Sequence, residues 1–231
     1  MSGFNWVEDL KPETRKALLE KARIKTFPDG ATIYSQGDPV TDVFQIISGE
    51  IRQCILTEDG QEVLMYIYKA GDLVGDSSVV DDDPYSVTIL ARGEVTTRAW
   101  STKEFAALRN THHEIESAIS AQSSRRLKGT LKLVEELLTQ PVAARVASRL
   151  LRLSEMGEIP VEGADLALSQ ADIGLMVGTT RQSVNRVVTE LRKLGLIDTD
   201  YGKITIKDPE GLNRYINEHQ RRHGRVEPED G

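Results

Sequence analysis

Residues 168–197, LSQADIGLMVGTTRQSVNRVVTELRKLGLI, constrain the fold of this chain more than any other stretch. Ile173 and Val177 give a first helix an apolar face, and Gly174 is small where a second helix must cross closely. Gly178 falls where the chain has to turn sharply, a place that favours a residue free to adopt φ > 0. Thr180 then offers an N-cap hydroxyl. Val184, Val187, Val188 and Leu191 recur at i, i+3, i+4 and i+7, the buried stripe of a second helix. The other face carries Arg181, Gln182, Asn185 and Arg186 near the N-terminal end, where a recognition helix meets base edges. Within residues 179–193, Arg181, Arg186, Arg192 and Lys193 stand against one acid, Glu190. This pattern predicts a helix-turn-helix followed by the first strand of a wing, with double-stranded DNA as partner. A helix pair inside an unrelated helical core would not need small, apolar and basic positions in this register.

Composition bounds the rest. The chain has 231 residues, 39% of them hydrophobic, enough for real cores in one large or two ordinary domains. No stretch approaches the length of a membrane span, and the charged start MSGFNWVEDLKPETRKALLEK lacks the apolar run of a signal peptide. A cytoplasmic protein without a membrane partner is expected. The single cysteine, Cys54, excludes a disulfide framework within one chain and a cysteine-ligated iron–sulfur cluster from one subunit. Net charge is −7, yet residues 1–139 hold 16 basic and 22 acidic groups while residues 140–231 hold 13 and 14. The recognition segment is thus a positive patch on a nearly neutral region. Global acidity limits loose DNA binding without forbidding a specific site.

The first ~20 residues read as a helix through Leu10, Thr14, Ala17, Leu18 and Lys21, with Pro12 tolerated in its first turn. From Ile24 to about Trp100 short β-branched or aromatic runs follow one another: ATIY, DVFQII, EIRQCILT, EVLMYIY, SVTILA and VTTRAW. Gly30, Gly37, Gly49, Gly60, Gly71, Gly75 and Gly93 punctuate them. Many short strands at near-regular spacing predict a β-barrel or β-roll, and the Asp-Gly of residues 58–62 suits a type I′ hairpin turn. A short helical turn over 102–109 precedes a long helix from about His113 to Leu138. Its apolar or small positions, from Ile115, Ala118, Ile119 and Gln122 to Leu127, Leu131, Val134, Leu137 and Leu138, approximate a seam, interrupted by Ser123, Ser124, Arg125 and Arg126. A lone helix buries one face on the roll; a second face favours a partner helix and a dimeric coiled coil. Pro141 ends the long helix, and residues 142–155 give another amphipathic one. LIDTDYGKITI reads as the wing hairpin with its turn at 200–202, residues 209–218 as a final short helix, and QRRHGRVEPEDG as a disordered tail.

These segments resemble the Crp/Fnr family of bacterial transcription regulators over about residues 10–207. SAQSSRRLKGT, DIGLMVGTTRQSVNRVV and the glycine pattern of YKAGDLVGD carry the resemblance. It implies an α+β chain: a β-roll sensor domain of the cyclic-nucleotide-binding type (1–110), a dimerisation helix (111–139), a winged helix-turn-helix DNA-binding domain (140–219) and a tail (220–231). It further implies a homodimer on an inverted repeat, an effector at the roll, and contact with RNA polymerase. Arg181, Gln182 and Arg186 fall on the family's base-reading positions, with Asn185 an added reader, and Thr180 and Ser183 fall near phosphates. Familiar members carry Glu where this chain has Gln182. Glu accepts from cytosine N4, whereas Gln matches adenine N6 and N7. The half-site is therefore expected to depart there from the usual TGTGA type.

The candidate effector pocket is Gly75, Asp76, Tyr85, Ser86, Arg126 and Thr130. In cyclic-nucleotide-binding members a Gly-Glu pair meets the ribose and an Arg-Ser pair holds the cyclic phosphate; Gly75-Asp76 and Tyr85-Ser86 stand in those places. Tyr85 cannot supply a fixed positive charge, and Asp81, Asp82 and Asp83 add repulsion. Leu131 replaces a hydroxyl residue beside Thr130. This speaks against cyclic AMP held in the usual manner, in favour of another small effector or none. His112 and His113 point to different faces of a helix and read as solvent-exposed; His219 and His223 read as solvated charge. Cys54 reads as a small interior or surface residue, since a redox role would need exposure. No nucleophile–base grouping or metal-ligand spacing stands out, so an enzyme is not expected. The rival from another class is a cyclic-nucleotide-responsive module whose winged helix contacts proteins.

Overall fold

The computed structural model describes residues 5–56, 62–81, 83–156, 159–160, 162–166, 168–200 and 202–223. Contacts gather the chain into two compact units, Ser2–Lys128 and Gly129–Gly231. The first runs α1 (Pro12–Glu20), β1 (Arg23–Phe27), β2 (Thr32–Tyr34), β3 (Asp42–Leu56), β4 (Glu62–Tyr68), β5 (Leu73–Val74), α2 (Asp76–Asp81), β6 (Thr88–Ser101), α3 (Thr102–Thr111) and the start of α4 (His113–Thr139). Its six-stranded sheet has the order β1-β6-β3-β4, with β2 paired to β6 and β5 to β3. Every pairing is antiparallel.

Two of the expected strand breaks are absent. DVFQII and EIRQCIL form one strand, β3, and TILA and VTTRAW form one strand, β6. Gly49 and Gly93 bend these strands instead of ending them. At Gly49 (φ +86°) a Cβ would lie 2.4 Å from the Glu94 carbonyl oxygen, so only glycine fits this bulge. The β3–β6 register shifts between Ile46 and Ser48 and again across Gly49, and then resumes at Glu50↔Arg92. The 58–62 turn lies largely outside the described residues, although β3 and β4 pair up to Leu56↔Glu62.

The α1 helix is shorter than expected, because Pro12 opens it and residues 6–9 form turns. Trp100 on β6 donates its indole N–H to the Leu18 carbonyl at 2.8 Å, fixing α1 to the sheet. Ser101 and Glu104 make a capping box at the start of α3, which reaches Thr111 rather than 109. His112 caps the end of α3 and is half-buried, its Nδ1 3.2 Å from the Thr14 hydroxyl; only His113 is exposed. Along α4, Ile115, Ile119 and Gln122 are buried. Farther along, Leu127 (60%), Leu131 (59%), Val134 (45%) and Leu138 (80%) are exposed.

Beyond the end of α4, the second unit continues through Pro141, the N-cap of α5 (Val142–Leu153). Then come β7 (Glu155–Met156), β8 (Ile159–Pro160), β9 (Asp165–Leu166), α6 (Gln170–Val177), α7 (Arg181–Lys193), β10 (Ile197–Asp200), β11 (Lys203–Ile206) and α8 (Pro209–His223). The wing is the β10–β11 hairpin, with β9 as an unforeseen third strand on β11. The last helix is longer than 209–218 and takes in the first residues of the expected tail; residues 224–231 lie outside the described part. Leu212, Tyr215 and Ile216 are buried and α8 packs on α5. His219 is held by Tyr215, ring to ring at 4.0 Å and Nδ1 to its carbonyl at 2.9 Å, so it is half-buried rather than solvated.

Candidate functional site: an exposed recognition helix and a filled roll

The two helices of the 168–197 motif are set by local chemistry. Ser169 caps α6, and its hydroxyl and the Asp172 carboxylate exchange backbone hydrogen bonds at 3.0 and 3.1 Å. Gly178 closes α6 in the left-handed conformation (φ 63°, ψ 51°). The Thr179 N–H returns to the Gly174 carbonyl at 2.9 Å. A Cβ at Gly174 would lie 2.8 Å from the Thr179 carbonyl oxygen and 3.5 Å from the Arg181 nitrogen. What approaches Gly174 so closely is therefore the turn and the first residue of α7. Thr180 caps α7 by accepting the Ser183 N–H at 3.2 Å.

From that cap, α7 buries Val184, Val187, Val188 and Leu191 and exposes Arg181, Gln182, Asn185 and Arg186. Arg181, Gln182 and Arg186 make no ion pair or side-chain hydrogen bond among the described residues, so their donors face solvent. The Asn185 Oδ1 accepts from the Thr189 hydroxyl at 3.3 Å. Gln182, Asn185, Arg186, Thr189, Glu190 and Lys193 line a shallow open depression along the helix. The motif reading missed Thr189 and counted Lys193 only in the basic patch, although i+4 and i+8 spacing from Asn185 puts both on its face. Such a row of guanidinium and amide groups matches the acceptors of a major groove edge. In the wing, Lys203 pairs with Asp165 at 2.6 Å. Hydrogen bonds from Lys203 and Thr205 hold the Asp165 carboxyl below its ordinary range.

The roll tells a different story. Gly75, Asp76, Tyr85 and Arg126 come together, whereas Ser86 is exposed and Thr130 belongs to the second unit and is exposed. The Asp76 side chain is fully buried, and its Oδ1 accepts from Arg126 Nη1 at 2.8 Å. Arg126 Nη2 donates to the Leu73 carbonyl, and the guanidinium lies 5.5 Å from the centre of the Tyr68 ring. Burial opposes the Arg126 charge, but Asp76 and Tyr68 together hold its pKa above the ordinary arginine value. Burial pushes the Tyr68 phenol up to about 12. Gly75 (φ +81°) has no room for a Cβ, which would lie 2.9 Å from the Asp42 carbonyl oxygen and 3.3 Å from the Tyr85 ring.

Tyr85 is a core residue. Its hydroxyl donates to the Asp42 carbonyl at 2.8 Å and accepts the Asp42 N–H at 3.1 Å. Its ring stacks on Tyr34 at 3.7 Å. Tyr34 and Tyr68 were not singled out from the sequence, and Gln122 only as a seam position of the long helix. The alternation of YIYKA puts Tyr66 and Tyr68 on one face of a strand, a usable but weak signal. Cys54 is fully buried. Among the described residues no cluster of His, Cys, Asp or Glu could hold a metal ion, and no helix is long and apolar enough to cross a membrane.

A roll of this topology joined to a winged helix-turn-helix with an exposed cationic face defines a transcription regulator with a sensor-type N-terminal unit. The family described as cyclic nucleotide-binding domain matches residues 24–112, and that described as Crp-like helix-turn-helix domain matches residues 144–215. The cAMP-activated global transcriptional regulator CRP of Pasteurella multocida is 28% identical over 196 residues, covering 84% of this chain and 93% of that one. The CRP-like cAMP-activated global transcriptional regulator of Mycobacterium tuberculosis is 27% identical over 210 residues, covering 90% and 94%. The solved structure of the c-di-GMP responsive global regulator CLP of Xanthomonas campestris shares the fold, with a TM-score of 0.73 at 22% identity over 85% of this chain and 99% of that one. The chain belongs to the Crp/Fnr family of transcription regulators.

Proposed function

We propose that this regulator acts as a homodimer that reads an inverted repeat in double-stranded DNA. Arg181, Gln182, Asn185 and Arg186 meet base edges, and Thr180 and Ser183 lie against the phosphate backbone. The observation that carries this reading is the exposed edge of α7, with Arg181, Gln182 and Arg186 unpaired among the described residues, braced from beneath by its buried valines. Each bidentate Arg contact to guanine discriminates by about 1–3 kcal/mol.

Dimerisation is supported by α4. Its exposed Leu127, Leu131, Val134 and Leu138 recur at steps of four, three and four residues, the spacing of a coiled-coil seam. Two recognition helices then enter successive major grooves about 34 Å apart. Action on transcription follows through contact with RNA polymerase at the promoter, in the bacterial cytoplasm, with no catalytic step. The domain limits 1–110, 111–139 and 140–219 suit this division of labour, the last extended to the end of α8. The roll, of the cyclic-nucleotide-binding type, is the seat of control, with Gly75, Asp76, Tyr85 and Arg126 as its core. Cyclic AMP activates the two CRP relatives, by their names; the Tyr85 position argues for different control here. The match to a Crp-like helix-turn-helix supports DNA over protein contacts as the role of the wing domain.

Selection of bound sites from random-sequence DNA tests the reading. Enrichment of an inverted repeat that differs from TGTGA at the Gln182 base pair is expected. Recovery of no enriched sequence would overturn it.

A further inference from the structure

We propose that Thr189 is a positioning residue of the recognition helix: its hydroxyl turns the Asn185 amide so that Asn185 reads a keto base, guanine or thymine, in place of adenine. The inference rests on the reading of α7 as the element that meets base edges.

Asn185 is exposed on the outer edge of α7, and Thr189, one turn later, is half-buried beside it. Both line the shallow depression along the helix. Residues four apart share a helical face, so the two side chains are neighbours. Three other helical hydroxyls of this chain turn back to the backbone instead. Thr111, Ser117 and Thr139 donate to the carbonyls four residues earlier, at 2.9, 3.3 and 2.8 Å. That is an ordinary outlet for such a hydroxyl inside a helix. Thr189 differs, because its proton goes to the Asn185 side chain, at 3.3 Å from Oδ1. A β-branched side chain has few rotamers in a helix, so this hydroxyl has few directions to choose from.

A carboxamide carries an acceptor and a donor in one plane. Asparagine reads adenine through both at once, accepting from N6 and donating to N7. With Oδ1 turned to Thr189, the acceptor is engaged within the helix and the N–H2 group points away from it. What Asn185 then offers a base edge is a donor. Guanine O6 and N7 and thymine O4 are acceptors in the major groove, whereas adenine N6 and cytosine N4 are donors. Two donors facing each other leave both unpaired. The bond from Thr189 thus turns a residue type suited to adenine into a reader of keto bases. One hydrogen bond of this kind favours its orientation by roughly two- to tenfold, enough to show in a selected site.

The test uses the full chain as wild type, Thr189→Val, Thr189→Ser and Asn185→Ala. Site selection with wild type and Asn185→Ala locates the base pair that depends on Asn185. Competition in fluorescence anisotropy then ranks operators carrying each of the four bases at that position. Wild type is expected to prefer guanine or thymine over adenine and cytosine by about fivefold or more, the lower end of the range for a base contact. Thr189→Val keeps the shape of the side chain and removes the donor. It should lower this preference by roughly two- to tenfold, with adenine gaining and other positions unchanged, while Thr189→Ser retains the preference. Adenine preferred by wild type, or an identical ranking for Thr189→Val, would overturn the proposal. So would an Asn185→Ala protein that selects the wild-type site at every position. A uniform loss across all positions in Thr189→Val would make Thr189 merely structural and overturn its positioning role. Failure of wild type to select any specific DNA would instead overturn the reading of α7 on which the proposal rests.

Discussion

Gly174 and Thr179 meet backbone to backbone: a Cβ on Gly174 would stand 2.8 Å from the Thr179 carbonyl oxygen. The turn cannot yield easily, because the Thr179 N–H is already bound to the Gly174 carbonyl at 2.9 Å. Gly174→Ala gains about 1 kcal/mol of helix propensity, but overpacking against backbone costs about 1–3 kcal/mol. Net destabilisation in urea unfolding is expected, together with weakened DNA binding. An unchanged midpoint would show that the turn has slack.

Gln182 is exposed on α7 and bears no structural load. Gln182→Glu should therefore leave thermal stability within about 0.5 kcal/mol of wild type. It should move the preferred base at one position of each half-site from adenine toward cytosine, by about 1–3 kcal/mol. Competition between operators that differ at that base pair measures the swap. Equal preference in both proteins would mean that Gln182 does not read a base.

Two arginines on α5 are expected to respond in opposite directions. Arg152 pairs with the buried Glu136 carboxylate. Arg149 is itself buried, with Nε and Nη2 unpartnered among the described residues. Burial, reinforced by the Arg152 charge and opposed by Glu136, pulls the Arg149 pKa down to about 10. Arg152→Met strands a buried carboxylate and should cost about 1–3 kcal/mol. Arg149→Met removes an uncompensated cation and should be neutral or stabilising. Urea denaturation of both variants decides the matter, and equal losses would contradict this assignment of partners.

The capping box of α3 makes stability depend on acid pH. Hydrogen bonds from the Ser101 hydroxyl and backbone hold the Glu104 carboxyl below its ordinary value of 4.5. In the unfolded chain Glu104 protonates first as pH falls. Its contribution is therefore complete above about pH 4.5 and lost as pH drops through the lowered folded value. Glu104→Gln should flatten this part of the acid limb in thermal melts taken between neutral pH and pH 3. Parallel curves for the two proteins would rule out the contribution.

The recognition helix was legible in the sequence because its determinants are local: Gly178 and Thr180 set the turn, and the valine stripe sets which face is buried. The same local reasoning mistook Gly49 and Gly93 for strand ends. A glycine that breaks a strand and one that bulges it look alike until the β3–β6 ladder is in place. The extra turn of α8 accompanies its packing on α5, a tertiary fact, and the Tyr215–His219 ring contact. The roll was least legible, since Tyr85 finds Asp42 at a separation of 43 residues and Arg126 finds Asp76 at 50. Tyr85 in the phosphate-facing position sets this roll apart from the usual family pattern, but nothing local indicated that its ring would pack on Tyr34 and its hydroxyl on Asp42.

The most direct test of DNA reading by α7 is the ratio of specific to nonspecific affinity for wild type and for the Arg181→Ala/Arg186→Ala double variant, measured by anisotropy at fixed salt. Both side chains are exposed and unpaired among the described residues, so the variant should fold like wild type. Its ratio is expected to collapse by roughly tenfold or more for each lost base contact, with a smaller loss on nonspecific DNA. An equal weakening on both DNAs would reduce the two arginines to phosphate contacts and contradict α7 as the reading element.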